Sequence, residues 1–229
     1  MTKKYELIVF DWDGTLMDSE ARIVTCIQRA ALDVRLPVPS QAAASNIIGL
    51  GLLEAVQRLF PTVDDREVDR LAEAYRTHWL GDAVEPAVMF AGARQLIEGL
   101  HGAGHLLAVA TGKSRRGLDK ALADSGLGDW FHATRCADET FSKPHPQMLE
   151  EILCDLDTSP RTAVVVGDTE YDMQMAASAG VDAIGMAHGV HAPERLVAAG
   201  ALQCFDDLSA LSDWLLAPAL DPQAGENRK

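Results

Sequence analysis

Two aspartates, Asp11 and Asp13, stand one residue apart directly after the apolar run Leu7 to Phe10, and Gly14 follows them at once. A buried strand that ends on two neighbouring like charges is costly unless those charges have a task. Side chains two apart in an extended segment point the same way, so both carboxylates can face one ligand. Other polar groups follow later apolar runs: Thr111, Gly112, Lys113 and Ser114 in "ATGKS", Lys143 in "FSKPHP", and Asp168, Glu170 and Asp172 in "GDTEYD". Asp11, Asp13 and Asp168 together make a hard, oxygen-rich site suited to magnesium, which would make the crowding of charge tolerable. Asp11 is placed to attack phosphorus and form an aspartyl-phosphate. Asp13 is placed to protonate the leaving alkoxide and later to take a proton from water. Thr111, Lys143 and the backbone N–H groups around Gly112 are the expected holders of phosphoryl oxygens. Asp172, with Glu170 nearby, is the expected organiser of the metal's remaining waters.

These residues meet only if the chain forms an open parallel sheet, whose ligands bind beyond the carboxyl ends of the strands. Near-continuous apolar runs at 5–10, 105–111, 162–168 and 181–186 read as strands covered on both faces. Helical patterns at about 91–103, 114–124, 145–156 and 170–179 alternate with the later strands, which predicts a doubly wound α/β fold. From Asp18 to about Glu85 only amphipathic helical runs occur, punctuated by Pro37, Pro39 and Pro61. That stretch is far longer than a crossover requires. It reads as an all-helical insertion, with residues 1–17 and 86–216 as the α/β core, 18–85 as a cap and 217–229 as a mobile tail.

At 229 residues the chain is long enough to bury a large core, and 48 % hydrophobic content is ordinary for a globular protein. Thirty-four acidic against 20 basic residues, a net charge of −14, argue against a nucleic-acid-binding surface. The same field repels phosphate on average, so a dication and local cations must reverse it at any phosphate site. No apolar run approaches the ~18 residues of a membrane span. The short run after Lys3 and Lys4 reads as a strand rather than a signal segment, so the cytoplasm is the expected location. Cys26, Cys136, Cys154 and Cys204 lack metal spacing and are expected to be reduced.

With these residues in order, the chain resembles the haloacid dehalogenase-like superfamily. The resemblance rests on "DWDGT" (11–15), Thr111, Lys143 and "GDTEYD" (167–172). It covers nearly the whole sequence, and the position of the helical insertion is similar to that of the phosphoglycolate phosphatase and β-phosphoglucomutase group. The resemblance implies a magnesium-dependent phosphoaspartate mechanism on a small phosphorylated metabolite. It makes Asp11 the nucleophile and Asp13 the acid/base. The metal would be held by Asp11, the Asp13 backbone carbonyl and Asp168, with Asp172 in support, and phosphate by Thr111, Gly112 and Lys143. Phosphonate-cleaving and dehalogenating relatives lack an acid at the position of Asp13, which points here to a phosphate ester. Trp12, where phenylalanine is commoner in relatives, should change packing rather than chemistry.

A phosphosugar mutase uses the same core and stays open as an alternative, as does, at greater distance, a phosphoacceptor signalling domain. "GLGLLE" (49–54) lacks the third glycine of a dinucleotide loop and reads as a hinge or specificity loop facing the site. His145 reads as a loop residue between two prolines, and of Lys113, Arg115 and Arg116 one is expected to reach the substrate. A carboxylate-bearing substrate would need an inward cation, with Arg22, Arg29, Arg58, Arg66, Arg70 and Arg76 as candidates. A monomer is the default expectation, with a dimer left open.

Overall fold

The computed structural model describes residues 4–81 and 84–217; the expected tail lies, from 218 onward, outside the described residues. The first strand, β1 (Leu7–Phe10), leads through a tight loop to the two-residue β2 (Met17–Asp18). Four helices follow, α1 (Glu20–Asp33), α2 (Gln41–Ser45), α3 (Leu52–Leu59) and α4 (Asp65–Leu80). The chain returns through β3 (Val88–Met89) to α5 (Ala93–Gly102), β4 (Leu106–Thr111) and α6 (Arg115–Ser125). Then come β5 (Ala133–Cys136), α7 (Gln147–Asp155), β6 (Ala163–Gly167), α8 (Glu170–Ser178) and β7 (Asp182–Met186). The series ends with α9 (Pro193–Ala198), β8 (Cys204–Phe205) and α10 (Leu208–Leu216).

Six strands form one parallel sheet in the order β5-β4-β1-β6-β7-β8. Successive side chains of each strand enter opposite cores. Ile8, Phe10, Leu107, Val109, Val164 and Val166 pack on one face. Leu7, Val9, Ala108, Ala110, Ala163 and Val165 pack on the other. Because helices cover both faces, neither register can afford a polar residue, which is why these strands read as unbroken apolar runs. The expected doubly wound parallel sheet is therefore present. Two of its strands, β5 and β8, were not expected from the sequence.

Helices α1 to α4 bury a separate cluster that includes Val24, Ile27, Val56, Phe60, Val68 and Leu71. The segments leading into and out of them pair as a small antiparallel ladder, Met17 opposite Met89 and Asp18 opposite Val88. Arg22 strengthens this neck, donating to the carbonyl oxygens of Trp79, Val84 and Glu85 at 2.7, 2.9 and 2.8 Å. Its guanidinium thereby caps the end of α4, where carbonyls lack helical partners.

Candidate active site

The chemistry-bearing residues gather at the carboxyl edge of the sheet. Phe10 pairs with Val109 of β4 on one side and with Val166 of β6 on the other. The Asp11 N–H still donates to the Val166 carbonyl at 2.9 Å, so strand geometry fixes where its carboxylate begins. Asp11, Thr111, Lys143, Asp168 and Asp172 are all at most 1 % exposed, and Asp13 is 8 % exposed. Gly14 turns the chain with a φ of +80°, and a Cβ there would fall 2.2 Å from Asp168 Oδ2. Only glycine tolerates both the backbone conformation and that approach.

One carboxylate oxygen from each of Asp11, Asp168 and Asp172 lies within 4.8 Å of the others. Lys143, on the loop between β5 and α7, reaches into this group, its Nζ 2.9 Å from Asp11 Oδ1 and 2.6 Å from Asp172 Oδ1. Asp172 Oδ2 accepts from the Thr169 N–H at 3.1 Å and from its hydroxyl at 2.7 Å. Thus Asp172 closes the first turn of α8 and holds Lys143 at the same time. Asp168 Oδ1 accepts from the Thr15 hydroxyl at 2.9 Å, and Oδ2 from the Val190 N–H at 2.9 Å. Asp11 Oδ1 also accepts from the Trp12 N–H at 2.6 Å. Asp11 Oδ2 is buried with no hydrogen-bond partner among the described residues.

Three buried acids, two of them paired with one ammonium, leave the cluster short of positive charge. Burial pushes the Asp11 carboxyl up to about 7, against the pull of Lys143 and with Asp172 and Asp13 adding repulsion. Burial, and then Asp11 and Asp172, hold Asp168 well above the usual carboxylate range. Burial alone would lower Lys143, but Asp11 and Asp172 outweigh it and the ammonium is held more firmly than usual. An orphaned buried carboxylate oxygen amid three acids is a donor set that fits a hard divalent cation.

Asp13 sits beside this cluster rather than in it. Its Oδ1 accepts from the Ser19 hydroxyl at 2.6 Å, and its Oδ2 lies 2.8 Å from Lys113 Nζ. The Lys113 ammonium also lies 4.2 Å from the Trp79 ring centroid of α4. Asp11, Asp13, Thr111, Gly112 and Lys113 line a cavity of about 330 Å³ whose far wall comes from α1, α3, α4 and the loop after α2. That loop, within "GLGLLE", packs on the sheet edge: a Cβ on Gly112 would fall 2.4 Å from the Leu50 carbonyl oxygen. The Gly51 N–H donates to the Ser142 hydroxyl at 2.6 Å, one residue before Lys143. The Tyr171 hydroxyl of α8 donates to the Asn46 carbonyl at 2.9 Å.

Several sequence expectations are redirected. Glu170 is absent from the acidic cluster; its Oε1 lies 2.5 Å from Arg195 Nη2. With 100° between successive helical residues, positions 170 and 172 face different ways. Arg115 grips Glu139 through Nε and Nη2, both at 2.8 Å, and does not line the cavity. His145 packs its ring on Phe141 with centroids 4.7 Å apart. Arg22 is spent on carbonyls, whereas Arg76 and Arg116 line the cavity. The roles of Thr15, Ser19 and Val190 were missed; Thr15 ends "DWDGT" itself, Ser19 lies four residues beyond it, and Val190 follows Gly189 after β7.

Comparisons to known proteins agree with this fold. A family model described as haloacid dehalogenase-like hydrolase matches residues 8–186. The probable phosphatase IndB of Dickeya dadantii is 34 % identical over 197 residues, covering 84 % of this chain and 86 % of that protein. A phosphoglycolate phosphatase of Rhodospirillum rubrum is 29 % identical over 220 residues, 92 % of this chain and 91 % of that protein. The crystal structure of a predicted phosphoglycolate phosphatase from Haemophilus somnus 129pt shares the fold, with a TM-score of 0.83. The two are 24 % identical, over 94 % of this chain and 98 % of that one. The chain belongs to the haloacid dehalogenase-like hydrolase family. Within it the chain falls in the phosphoglycolate phosphatase-like group of phosphoric monoester hydrolases. Among the described residues no helix is long and apolar enough to cross a membrane.

Proposed function

We propose that this phosphatase hydrolyses a small-molecule phosphomonoester through a phosphoaspartate on Asp11, with magnesium as its resident cation. The observation that carries the reading is the partnerless Asp11 Oδ2, buried at the cavity floor within a cluster of three acids. Asp11 and Asp168 would hold the cation, joined by the Asp13 backbone carbonyl and supported by Asp172. Bound there, magnesium would offset the crowded negative charge and let a phosphate dianion approach.

Asp11 attacks phosphorus, and the bond to the leaving oxygen breaks. Asp13, facing the same cavity, gives that oxygen its proton. In the second half Asp13 takes a proton from water as the water oxygen attacks the same phosphorus, releasing phosphate and restoring Asp11. Lys143, Thr111 and the N–H groups at Gly112 bind the phosphoryl oxygens throughout. Residues 1–17 and 86–216 act as the core and 18–85 as a cap. The separate helical cluster and the paired strands at its neck support that division. The cap shields the phosphoaspartate from bulk water and supplies contacts to the leaving group.

A panel of phosphorylated metabolites, assayed for phosphate release with and without magnesium, tests the reading. Asp11→Asn and Asp13→Asn are run beside the parent protein. Metal-dependent release by the parent and near-complete loss in both variants are expected. Robust release by Asp11→Asn would discard the covalent route.

A further inference from the structure

The cavity above Asp11 has room and walls that a two-carbon substrate does not use. Its volume of about 330 Å³ falls in the range of roughly 300–1,000 Å³ typical of drug-sized ligands. Its far wall carries a set of apolar side chains: Ile23 and Ile27 of α1, Ile47 and Leu50 of the loop after α2, and Tyr75 and Trp79 of α4. Tyr75 and Trp79 stack on one another with centroids 6.1 Å apart and 14° between planes, which stiffens that side.

Charge in the lining points the same way. Three cations, Arg76, Lys113 and Arg116, face five carboxylates, Asp11, Asp13, Glu54, Glu73 and Asp138. Lys113 is already paired with Asp13 at 2.8 Å, and Arg76 lies 3.3 Å from Glu73. Arg116 is exposed at the rim. Away from the cavity floor, a second anionic group on the substrate would therefore meet Glu54, Glu73 and Asp138, with no buried cation unshared among the lining residues.

We infer that the leaving group carries an apolar body of several carbons rather than a carboxylate, and that Tyr75 is a specificity-determining residue for it. The inference rests on the phosphatase reading above and narrows it to one substrate class. Burying a methylene against such a wall is worth about fourfold in kcat/KM. Phosphate and metal contacts are common to all phosphomonoesters, so selection falls to the apolar wall.

The test measures kcat/KM, with magnesium, for ethyl, butyl, hexyl and 2-phenylethyl phosphate beside phosphoglycolate. A rise of more than about tenfold from ethyl to butyl phosphate is expected from two added methylenes. Phosphoglycolate should fall below butyl phosphate. Tyr75→Ala should cut the ratio of 2-phenylethyl to ethyl phosphate, a comparison internal to each preparation and insensitive to the fraction folded. A flat alkyl series, phosphoglycolate above butyl phosphate, or an unchanged ratio in Tyr75→Ala would each overturn the inference while leaving the phosphatase reading intact. No phosphate release from any ester would overturn both.

Discussion

Lys143 Nζ stands 2.9 Å from Asp11 Oδ1, and neither side chain is more than 1 % exposed. A buried ammonium against a buried acid is tolerated only while both are present. Removing one partner of such a pair costs about 3–5 kcal/mol. Lys143→Met should therefore lose roughly that much stability in urea denaturation and, with it, metal-dependent phosphate release. Lys143→Arg should not rescue either property, because the planar fork of arginine does not fit a site shaped around a point charge. Unchanged stability in Lys143→Met would mean that the Asp172 contact at 2.6 Å contributes nothing.

The acid cluster also sets a pH dependence. Asp11 is raised from 3.8 to about 7, and Asp168 is raised as well, so the folded state holds protons that the unfolded state has released. Where the native state binds more protons, stability falls as pH rises. Relative to Asp11→Asn, which lacks one of these acids, the metal-free parent should lose thermal stability between about pH 4 and pH 7. Magnesium, competing with those protons, should restore stability most at the upper end of that window. Melting curves with EDTA or with magnesium across it read both effects. A metal-free parent that loses no stability relative to Asp11→Asn over the same interval would contradict the proposed charge crowding.

Gly14 links the loop after β1 to Asp168. Gly14→Ala places a methyl 2.2 Å from Asp168 Oδ2 at a φ of +80°, so either the loop or the acid must move. The left-handed backbone alone costs an alanine about 1–2 kcal/mol. The variant should be destabilised by at least that amount and should show a smaller magnesium-induced rise in melting temperature. An equal rise would mean that Asp168 does not hold the metal.

How legible this molecule is in its sequence depends on where each signal resides. Strands β1, β4, β6 and β7 announce themselves because both faces are buried. The edge strand β5 carries Thr134 and Arg135, and β8 has two residues, so neither builds a run. The neck pairing of Met17 with Met89 is equally short and joins residues far apart in the chain. Asp11, Asp13, Lys143, Asp168 and Asp172 could be named because their spacing after strands is itself the motif. Their partners could not: Thr15 reaches Asp168 across 153 positions. Of Lys113, Arg115 and Arg116 the sequence points to one that reaches the substrate without saying which, and the structure sets the Lys113 ammonium on Asp13.

The proposed reaction requires phosphorus to become bonded to Asp11. Protein mixed with magnesium and a turned-over phosphomonoester, quenched in acid within the first turnovers and digested, should yield one peptide heavier by a phosphoryl group. That peptide should contain Asp11 and lose the added mass in the Asp11→Asn variant. A phosphoryl group on any other residue, or rapid phosphate release with none trapped on any peptide at any quench time, would contradict the account.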